Sequence, residues 1–410
     1  MRKLAFQFVL ILFTVSCGKE KDPTPETVTG SIVTNPALNI SYFEATIEGE
    51  LLKFSDGQIY DCGFVWSENS LPTTESTGKV YFGPKSSPIK LSNKIINIKT
   101  GTKYYYRAFA ILKTGITYGN ELAFTTLSNP WKQGVDFEGS GRQNAVTFSI
   151  GGMGYVCLGN GDGNVQYKDM WEFNPINKTW KQKADYPGTD KLAANGFAIG
   201  SKGYVVTGLC SCKDLWEYDP SLDKWTQKSD FPVNGVYYAS SFTIDNKGYI
   251  GTGTENGMLL KDFWEYDPSN DVWTKRADFP GIPMDVAVGF SVLGKGYFAT
   301  GNQATGTSQS LWEYNPTSDI WNKRKDFPYA TSSAVGFSIN NKGYVGLGNG
   351  VNTTFYEYDP LADTWLGVEN FRGSGRQSAK AFVINNVAYI GLGTSSYTVY
   401  PKDFWEFTSN

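Results

Sequence analysis

The sequence predicts an all-β chain whose larger part is a six-bladed β-propeller, preceded by a small β-sandwich. Tryptophans recur 44 to 49 residues apart, each opening a motif such as Trp273-Thr-Lys-Arg-Ala-Asp-Phe-Pro. This series is Trp131, Trp180, Trp225, Trp273, Trp321 and Trp365. A second aromatic series lies about nine residues ahead of it: Trp171, Trp216, Trp264, Trp312, Tyr356 and Trp405. Repeats of about 40–50 residues that carry short strands are typical of propeller blades and not of helical repeats.

Each repeat also carries the residues of four strands. A phenylalanine marks the first strand: Phe148, Phe197, Phe242, Phe290, Phe337 and Phe382. A Gly-Tyr pair such as Gly154-Tyr155 marks the second strand, with Ala388-Tyr389 in the last repeat. Trp-Glu-Tyr or Trp-Glu-Phe marks the third, and an Asp-Pro or Asn-Pro turn leads to the fourth. Large aromatics at fixed repeat positions predict packing between neighbouring blades, so we interpret both tryptophan series as structural rather than sugar-stacking.

The two ends of the repeat region predict the number of blades. The last repeat lacks a fourth strand after Trp405, whereas Trp131 supplies a fourth-type strand before the first repeat begins. Pairing these two strands closes the ring and removes the exposed sheet edges. Six third strands and six fourth strands then give six blades.

Residues 128–410 resemble the Kelch repeat family over all six repeats. One departure is that a single glycine, as in Gly208, Gly253 and Gly301, stands where Kelch repeats usually have two. The resemblance implies a variant subfamily of Kelch propellers.

A smaller all-β domain is predicted for residues 28–127. Short runs alternate apolar and polar residues, as in 62–66 and 104–110, which is typical of antiparallel sandwiches. The segment 98–104 resembles the tyrosine corner of fibronectin type III domains, and 118–125 resembles their closing strand. Trp66 is then a core residue, and we expect the domain to be a spacer, with a binding role as the alternative.

The first residues predict a lipid anchor. Met1-Arg2-Lys3, the apolar stretch 4–15 and Ser16 describe a secretory signal over 1–16. Cys17 follows directly and resembles the lipidated cysteine of bacterial lipoproteins, while Lys19 and Glu20 resemble an export tag for the outer face of the outer membrane. Residues 17–27 would be a tether, and the lipid would be the only membrane anchor. The alternative is an ordinary cleaved signal.

Composition excludes several classes of function. A formal net charge of −3 without a long basic run argues against nucleic acid as a partner. The chain has no histidine, which excludes His-based triads and histidine-ligated copper or zinc sites. Cys210 and Cys212 could bridge or bind a metal, although we expect an unbridged loop. Segment 159–164 is a turn rather than a calcium loop, because downstream acidic ligands are missing. We expect no cofactor and no bound metal.

The mouth, where connections between blades converge, holds the predicted ligand site. Six residues before each first-strand phenylalanine lie Arg142, Lys191, Val236, Met284, Thr331 and Arg376. The next residues include Gln143, Tyr237, Asp285 and Gln377. Three cations on consecutive blades predict a cationic arc suited to an anionic ligand. The alternative is that each cation bonds its own blade. Recurrent Asp169, Asp214, Asp262 and Asp403 are interpreted as turn caps.

These observations favour a cell-surface lipoprotein whose propeller mouth binds a glycan or a protein without catalysing a reaction. The second hypothesis is an enzyme resembling the sialic acid mutarotases of this fold, with Asp285 as the candidate base. A structural envelope protein is the third. Fold alone does not separate them.

Overall fold

The computed structural model describes residues 30–55, 58–210, 212–350, 352–395 and 398–409. The predicted signal, Cys17 and the tether lie outside the described residues. The chain divides into two compact units, one ending at Thr126 and the other beginning at Leu127. Among the described residues, none forms a helix with the length and apolar character that a membrane crossing requires.

The first unit is an antiparallel sandwich of two sheets. The strands of one sheet are Ser31–Leu38, Glu44–Leu52 and Ile89–Ile96. Those of the other are Gly78–Tyr81, Ile59–Ser67, Lys103–Leu112, Gly115–Tyr118 and Leu122–Thr125. Buried residues from both sheets, such as Ile47 and Tyr106, form one core, against which Trp66 packs partly buried. The Lys99 N–H donates to the Tyr104 hydroxyl at 3.0 Å, which is the contact that a tyrosine corner predicts.

The second unit is a six-bladed β-propeller, in which each blade is an antiparallel sheet of four strands. Blade 1 contains Val146–Ile150, Met153–Cys157, Met170–Asn174 and Thr179–Lys183. Blade 2 contains Asn195–Ile199, Lys202–Val206, Leu215–Asp219 and Lys224–Lys228. Blade 3 contains Ser240–Ile244, Lys247–Gly251, Phe263–Asp267 and Val272–Lys275.

The remaining blades follow the same order of strands. Blade 4 contains Val288–Val292, Lys295–Ala299, Leu311–Asn315 and Ile320–Arg324. Blade 5 contains Val335–Ile339, Lys342–Gly346, Phe355–Asp359 and Thr364–Val368. Blade 6 contains Lys380–Ile384, Val387–Gly391, Phe404–Thr408 and, as its outer strand, Trp131–Gln133. Loops carry the short strands Thr254–Glu255, Met258–Leu259, Met284–Asp285, Asn302–Gln303 and Gly306–Thr307, and one 3₁₀ turn, Asp162–Asn164.

The predicted ring closure is confirmed. Trp131 pairs with Phe407 in an antiparallel register, so the first strand of the unit completes its last blade. The Trp131 ring packs at 4.9 and 5.1 Å against Phe355 and Phe371, and its indole N–H donates to the Glu369 carbonyl of blade 5 at 2.7 Å. The closing strand therefore also holds two blades together.

Blades pack through a contact between a ring and a glycine. The first-strand phenylalanine of each blade stacks on the second-strand tyrosine of the same blade, as Phe242 does on Tyr249 at 5.5 Å. The other face of the ring meets the glycine of the next blade, and a Cβ at Gly296 would overlap the ring of Phe242. The same holds at the closure, where Gly154 of blade 1 lies against Phe382 of blade 6. At five of the six interfaces the glycine of the Gly-Tyr pair therefore leaves room for the ring, and at the sixth Ala388 of blade 6 stands in its place.

Part of a ring of backbone hydrogen bonds, running from blade 2 to blade 6, marks the neck of the central channel directly below the mouth. The Tyr238 N–H donates to Ala193 O at 3.2 Å, and the Val286 N–H donates to Tyr238 O at 3.0 Å. Ser333 and Ser378 continue the ring at 3.1 and 2.8 Å. These residues adopt positive φ, which even the β-branched Val286 accepts at 44°. These four bonds link the connections of blades 2 to 6 to one another.

We predict that Gly296→Ala lowers the free energy of unfolding by about 1–3 kcal/mol, because the new Cβ displaces the Phe242 ring. Chemical denaturation of the variant measures this. Combining it with Phe242→Leu, which frees space at the contact, should cost less than the sum of the two single changes. An unaltered midpoint for Gly296→Ala would contradict the packing described.

Candidate functional site

The mouth is formed by connections between blades that pair with loops between second and third strands. Each residue in the position after the cation series lies in or beside such a pairing. The antiparallel pairs are Gln143 with Asn160, Leu192 with Leu209, Tyr237 with Thr254, Asp285 with Asn302, Thr331 with Ser308, and Gln377 with Thr394. The loops are therefore held to the connections all round the mouth, which makes the rim a continuous surface.

The predicted cations do not face this surface. Arg142 and Arg376 are both 0% exposed. Arg142 donates through its two Nη atoms to the Asp169 carboxylate at 2.5 and 2.8 Å. Arg376 makes the same bidentate contact with Asp403 at 2.7 and 2.9 Å. Each Nε donates to a backbone carbonyl two residues earlier in the chain, at 2.9 Å.

Lys191 is placed in the same way in blade 2. It is 1% exposed, and its Nζ donates to Asp214 Oδ1 at 2.7 Å. The other carboxylate oxygen of Asp214 accepts from the Trp216 indole N–H at 2.7 Å and from the Tyr186 hydroxyl at 3.0 Å. In blades 1 and 6 the indole N–H groups of Trp171 and Trp405 likewise donate to the paired aspartates, at 2.6 and 2.7 Å.

Burial and ion pairing shift the pKa values of the residues in these clusters in opposite directions. Burial alone would raise the pKa of Asp403, but hydrogen bonds from Arg376 and its charge outweigh burial, so the pKa of Asp403 lies below its ordinary value. Asp169 beside Arg142 has its pKa lowered for the same reasons. For Lys191, burial lowers the pKa in spite of Asp214. The clusters are ionised pairs that stabilise their own blades.

The expected cationic arc is therefore corrected. Its three cations bond their own blades, which is the alternative that the sequence left open, and their charge is compensated before a ligand arrives. Asp169, Asp214 and Asp403 are partners of the cations and not turn caps. Asp262 in blade 3 faces no such cation and pairs instead with Lys275 at 3.2 Å.

The opposite arc of the mouth lacks these ion pairs. Val236, Met284 and Thr331 occupy the cation position in blades 3, 4 and 5, and all three are buried. In blade 4 the paired aspartate is replaced by Ser310, whose hydroxyl is 2.9 Å from that of Ser308. No carboxylate therefore bonds the indole N–H of Trp312, which has no hydrogen bond to any described residue.

A cleft of about 820 Å³ opens beside Trp312 on this arc. Its lining includes the half-buried indole of Trp312 and the side chains of Gln303, Ser308 and Gln309. Further lining residues are Lys261, Pro280, Gly281, Ile282, Pro283, Thr307, Ser310, Lys323, Asp326 and Ala330. The volume is in the range of sites for small organic ligands.

The charges in the cleft are mostly compensated. The Lys323 ammonium lies 5.7 Å from the centre of the Trp312 ring and forms an ion pair with Asp326. Lys261 is exposed at the rim. Uncharged donors and acceptors dominate the rest of the lining, and neither Gln303 nor Gln309 uses its amide in a hydrogen bond to a described residue. The cleft is suited to a neutral, hydroxyl-rich ligand.

The other predicted site residues lie near the mouth but are not brought into one cluster. Tyr237 is half-buried, and its ring lies 5.5 Å from that of Tyr238, which lines the neck of the channel. Asp285 accepts from the Thr254 hydroxyl at 2.8 Å and from the Asn302 amide at 3.3 Å. Gln143 and Gln377 belong to blades 1 and 6, across the ring from Asp285.

Sequence reasoning did not identify Trp312, Gln303 and Gln309. A signal existed in the repeats, because an aspartate stands two residues before the third-strand tryptophan in blades 1, 2, 3 and 6 but Ser310 stands there in blade 4. The indole N–H of Trp264 in blade 3 also lacks a partner although Asp262 is present, so it is the replacement of the aspartate by Ser310 that distinguishes blade 4.

For two loops, at 210–212 and at 159–164, the sequence allowed more than one interpretation. Cys210 and Cys212 are joined by a disulfide, so the bridged form is found and not the expected unbridged loop. The loop at 159–164 contains the 3₁₀ turn and the backbone turn bond from Asn164 N–H to Gly161 O at 3.2 Å. Within the described residues no three Cys, Asp or Glu side chains converge to hold a metal ion.

Comparisons with known proteins support the fold. The solved structure of YjhT superimposes with a TM-score of 0.58 at 15% identity, covering 67% of this chain and 97% of YjhT. No protein-family model matches the sequence. No curated protein matches it either. At this identity the similarity establishes the β-propeller and nothing about activity.

We predict that Arg376→Ala destabilises the protein by about 3–5 kcal/mol, because it leaves the Asp403 carboxylate buried without its partner. Thermal and urea unfolding measure the effect. The matched control is Arg372→Ala, which removes an arginine that is 48% exposed and pairs with Glu369 at 2.7 Å. The control should change stability by less than about 1 kcal/mol.

Replacing both partners by apolar residues, Arg376→Met with Asp403→Leu, should recover much of the loss. Equal, small effects of Arg376→Ala and Arg372→Ala would show instead that the Arg376 side chain is free to meet a ligand.

Proposed function

We propose that this chain is a Kelch-type lipoprotein on the surface of the outer membrane, whose propeller binds a neutral glycan without transforming it. The single observation that carries the binding function is the cleft beside Trp312. It combines an indole, two amides that make no hydrogen bond to a described residue, and several hydroxyls in a volume of about 820 Å³ on the mouth side of the propeller. The ion pairs of blades 1, 2 and 6 favour a neutral ligand over the anionic one that the sequence suggested.

A sugar ring suits this lining for two physical reasons. One face of a pyranose presents C–H groups, which pack on the face of an indole, while its hydroxyls need partners at the edges. Gln303 and Gln309 each offer a donor and an acceptor, and Trp312 offers an indole N–H. A few well-placed polar groups around an apolar platform fix the orientation of such a ligand.

The cleft of blade 4 differs chemically from the equivalent cleft of blade 2. The equivalent cleft in blade 2 measures about 460 Å³ and contains Trp216, Asp214 and Asp230. There the indole N–H is already bonded to Asp214, which replaces the uncharged Ser310, while Asp230 is the equivalent of Asp326 in blade 4. The two clefts share their position in the repeat but present different chemistry, which makes blade 2 an internal control.

The anchor follows from the sequence around Cys17. A signal-like segment before it, the small Ser16 and the Lys19-Glu20 pair support lipidation at Cys17 and display on the outer face. Several acyl chains on one cysteine bind a membrane firmly, since each buried methylene contributes about 0.8 kcal/mol. The sandwich domain would then hold the propeller away from the lipid.

We predict that the detergent-solubilised protein binds neutral oligosaccharides on a glycan array, and that Trp312→Ala weakens binding at least about tenfold in titration calorimetry. Loss of an aromatic contact and of one hydrogen bond accounts for this size. Because the proposed ligand carries no net charge, its affinity should change little between about 0.05 and 0.5 M salt.

The control variant, Trp216→Ala, removes the equivalent side chain of blade 2 and should leave glycan affinity unchanged. Retention of full affinity by Trp312→Ala would refute the cleft as the site. Binding restricted to acidic glycans and abolished by salt would refute the neutral ligand. Turnover of a sugar acid that disappears in Asp285→Asn would establish the enzyme hypothesis instead.

We predict that Cys17→Ser releases the protein from the membrane fraction, because the lipid is the proposed anchor. Cell fractionation with immunodetection measures the distribution. Replacement of Cys62, a buried cysteine of the sandwich core, by alanine serves as the control and should leave the protein membrane-bound. A membrane-bound Cys17→Ser variant would exclude lipidation as the means of attachment.

A further inference from the structure

The central channel contains a lysine whose charge is not compensated. Lys380 begins the first strand of blade 6 and lines both the neck of the channel and its middle section. No hydrogen bond or ion pair joins its ammonium group to another described residue. Elsewhere in the propeller, buried cations such as Arg376 and Lys191 have a carboxylate partner within 3 Å. Lys380 is the exception.

The lining of the channel offers no counter-charge. Three sections of about 80, 240 and 350 Å³ follow one another from the neck to the far face. Their described lining residues include one charged side chain, Lys380, and one other titratable side chain, Tyr238 in the neck. Burial, and to a smaller extent the charge of Asp285, raise the pKa of Tyr238, so its hydroxyl remains neutral. The lysine therefore gives the channel a net positive charge.

A second polar group without a partner lies at the same level. Asn195 occupies the position of Lys380 in the first strand of blade 2 and lines the same two sections. Its amide makes no hydrogen bond to a described residue. The nearby hydroxyls are already used, since Thr147 donates to Ala381 O at 2.9 Å and Ser240 to Ala287 O at 2.9 Å. In the middle section, Lys380 and Asn195 are thus the side-chain donors without a hydrogen bond to a described residue, while the Ser338 hydroxyl of the far section also lacks one.

We propose that the central channel is a binding site for a small monoanion, held by the Lys380 ammonium and the Asn195 amide. One negative charge balances the single positive charge and removes the cost of leaving this half-buried ammonium unpaired. The middle section, at about 240 Å³, has room for a chloride ion with water or for a short carboxylate, and it is smaller than typical sites for sugars. This site is separate from the cleft beside Trp312.

The anion reaches this site from the far face of the propeller. The far section is the widest of the three, and its lining is uncharged, with Ser149, Thr243 and Ser291 among its residues. The neck, by contrast, measures about 80 Å³ and is bordered by Tyr238. A ligand at the mouth and an anion in the channel therefore enter from opposite sides.

The titration of Lys380 is consistent with this site. Burial lowers the pKa of Lys380 to about 8, so at pH 7 the ammonium is mostly charged and still lacks a partner. Because the folded pKa is lowered, stability without the anion should rise as pH increases from about 8 toward the ordinary lysine value. A bound anion favours the ammonium and should remove that rise.

The test is thermal unfolding of the full-length protein at pH 7 in anion-exchanged buffer, titrated separately with sodium chloride and sodium acetate. The melting temperature should rise by about 5 °C at a hundredfold excess over the Kd of the preferred anion. The control is Lys380→Val, since valine occupies this position in blades 1, 4 and 5. The melting temperature of this variant should not respond to either anion beyond a general salt effect. Comparing the chloride titration with the acetate titration shows whether the site prefers a halide or a carboxylate.

An equal response of wild type and Lys380→Val to both anions would overturn the proposal, as would no response of the wild type. If Lys380→Val does not fold, reductive methylation of the wild-type protein followed by peptide mass spectrometry gives a second measurement. The preferred anion should slow modification of Lys380 severalfold while leaving exposed Lys402 unaffected. Identical rates with and without the anion would also overturn it.

Discussion

The propeller depends on the contact between a first-strand phenylalanine and the second-strand glycine of the next blade. No single core fills this domain, because its centre is a channel and its apolar residues lie between sheets. Each blade is therefore stabilised by its two neighbours, and the distance between sheets is set by the residue opposite the ring, which is glycine at five interfaces and Ala388 at the sixth. Gly154, Gly203, Gly248, Gly296 and Gly343 set that distance by leaving room for the ring beside them.

Departures from the repeat locate both candidate sites. In blades 1, 2 and 6 the aspartate two residues before the tryptophan bonds a buried cation and the indole N–H, which uses every polar group of the cluster. Blade 4 keeps Trp312 but loses both charged partners, so the indole and the neighbouring amides remain available. Lys380 shows the reverse case, since a charge appears where three other blades have valine. Where the polar groups of a repeat bond one another they are not available to a ligand, so we expect ligands at the positions that depart from the repeat.

The sequence was sufficient to predict the blades and their closure, because strand spacing is encoded directly in the period of Trp, Phe and Gly-Tyr. It was not sufficient to predict where Arg142 and Arg376 point. Register places a residue along the chain at the mouth, but whether its side chain reaches a ligand or its own blade depends on a partner 27 residues later. Arg or Lys occurs together with that aspartate in the same three blades, and this joint occurrence could have predicted the ion pairs.

Other features depend on contacts that no spacing reveals. The disulfide between Cys210 and Cys212 requires a loop conformation that brings neighbouring sulfur atoms together, and the cleft of blade 4 requires the connection at 280–283 to pass beside Trp312. The hydrogen bond between Lys99 and Tyr104 in the sandwich was predictable because the two residues are close in sequence. Local contacts follow from local sequence, whereas clefts between loops do not.

The pairing of Trp131 with Phe407 has a consequence for biosynthesis. The outer strand of blade 6 is made first, yet its partner strand emerges last, so the ring cannot be completed while the chain is still being delivered from its N-terminal end. Until then blade 6 lacks its outer strand and the indole of Trp131 lacks its pocket. A chain interrupted at any point before the final blade leaves both open to proteases and chaperones, so only a chain with every blade is protected by the closed ring.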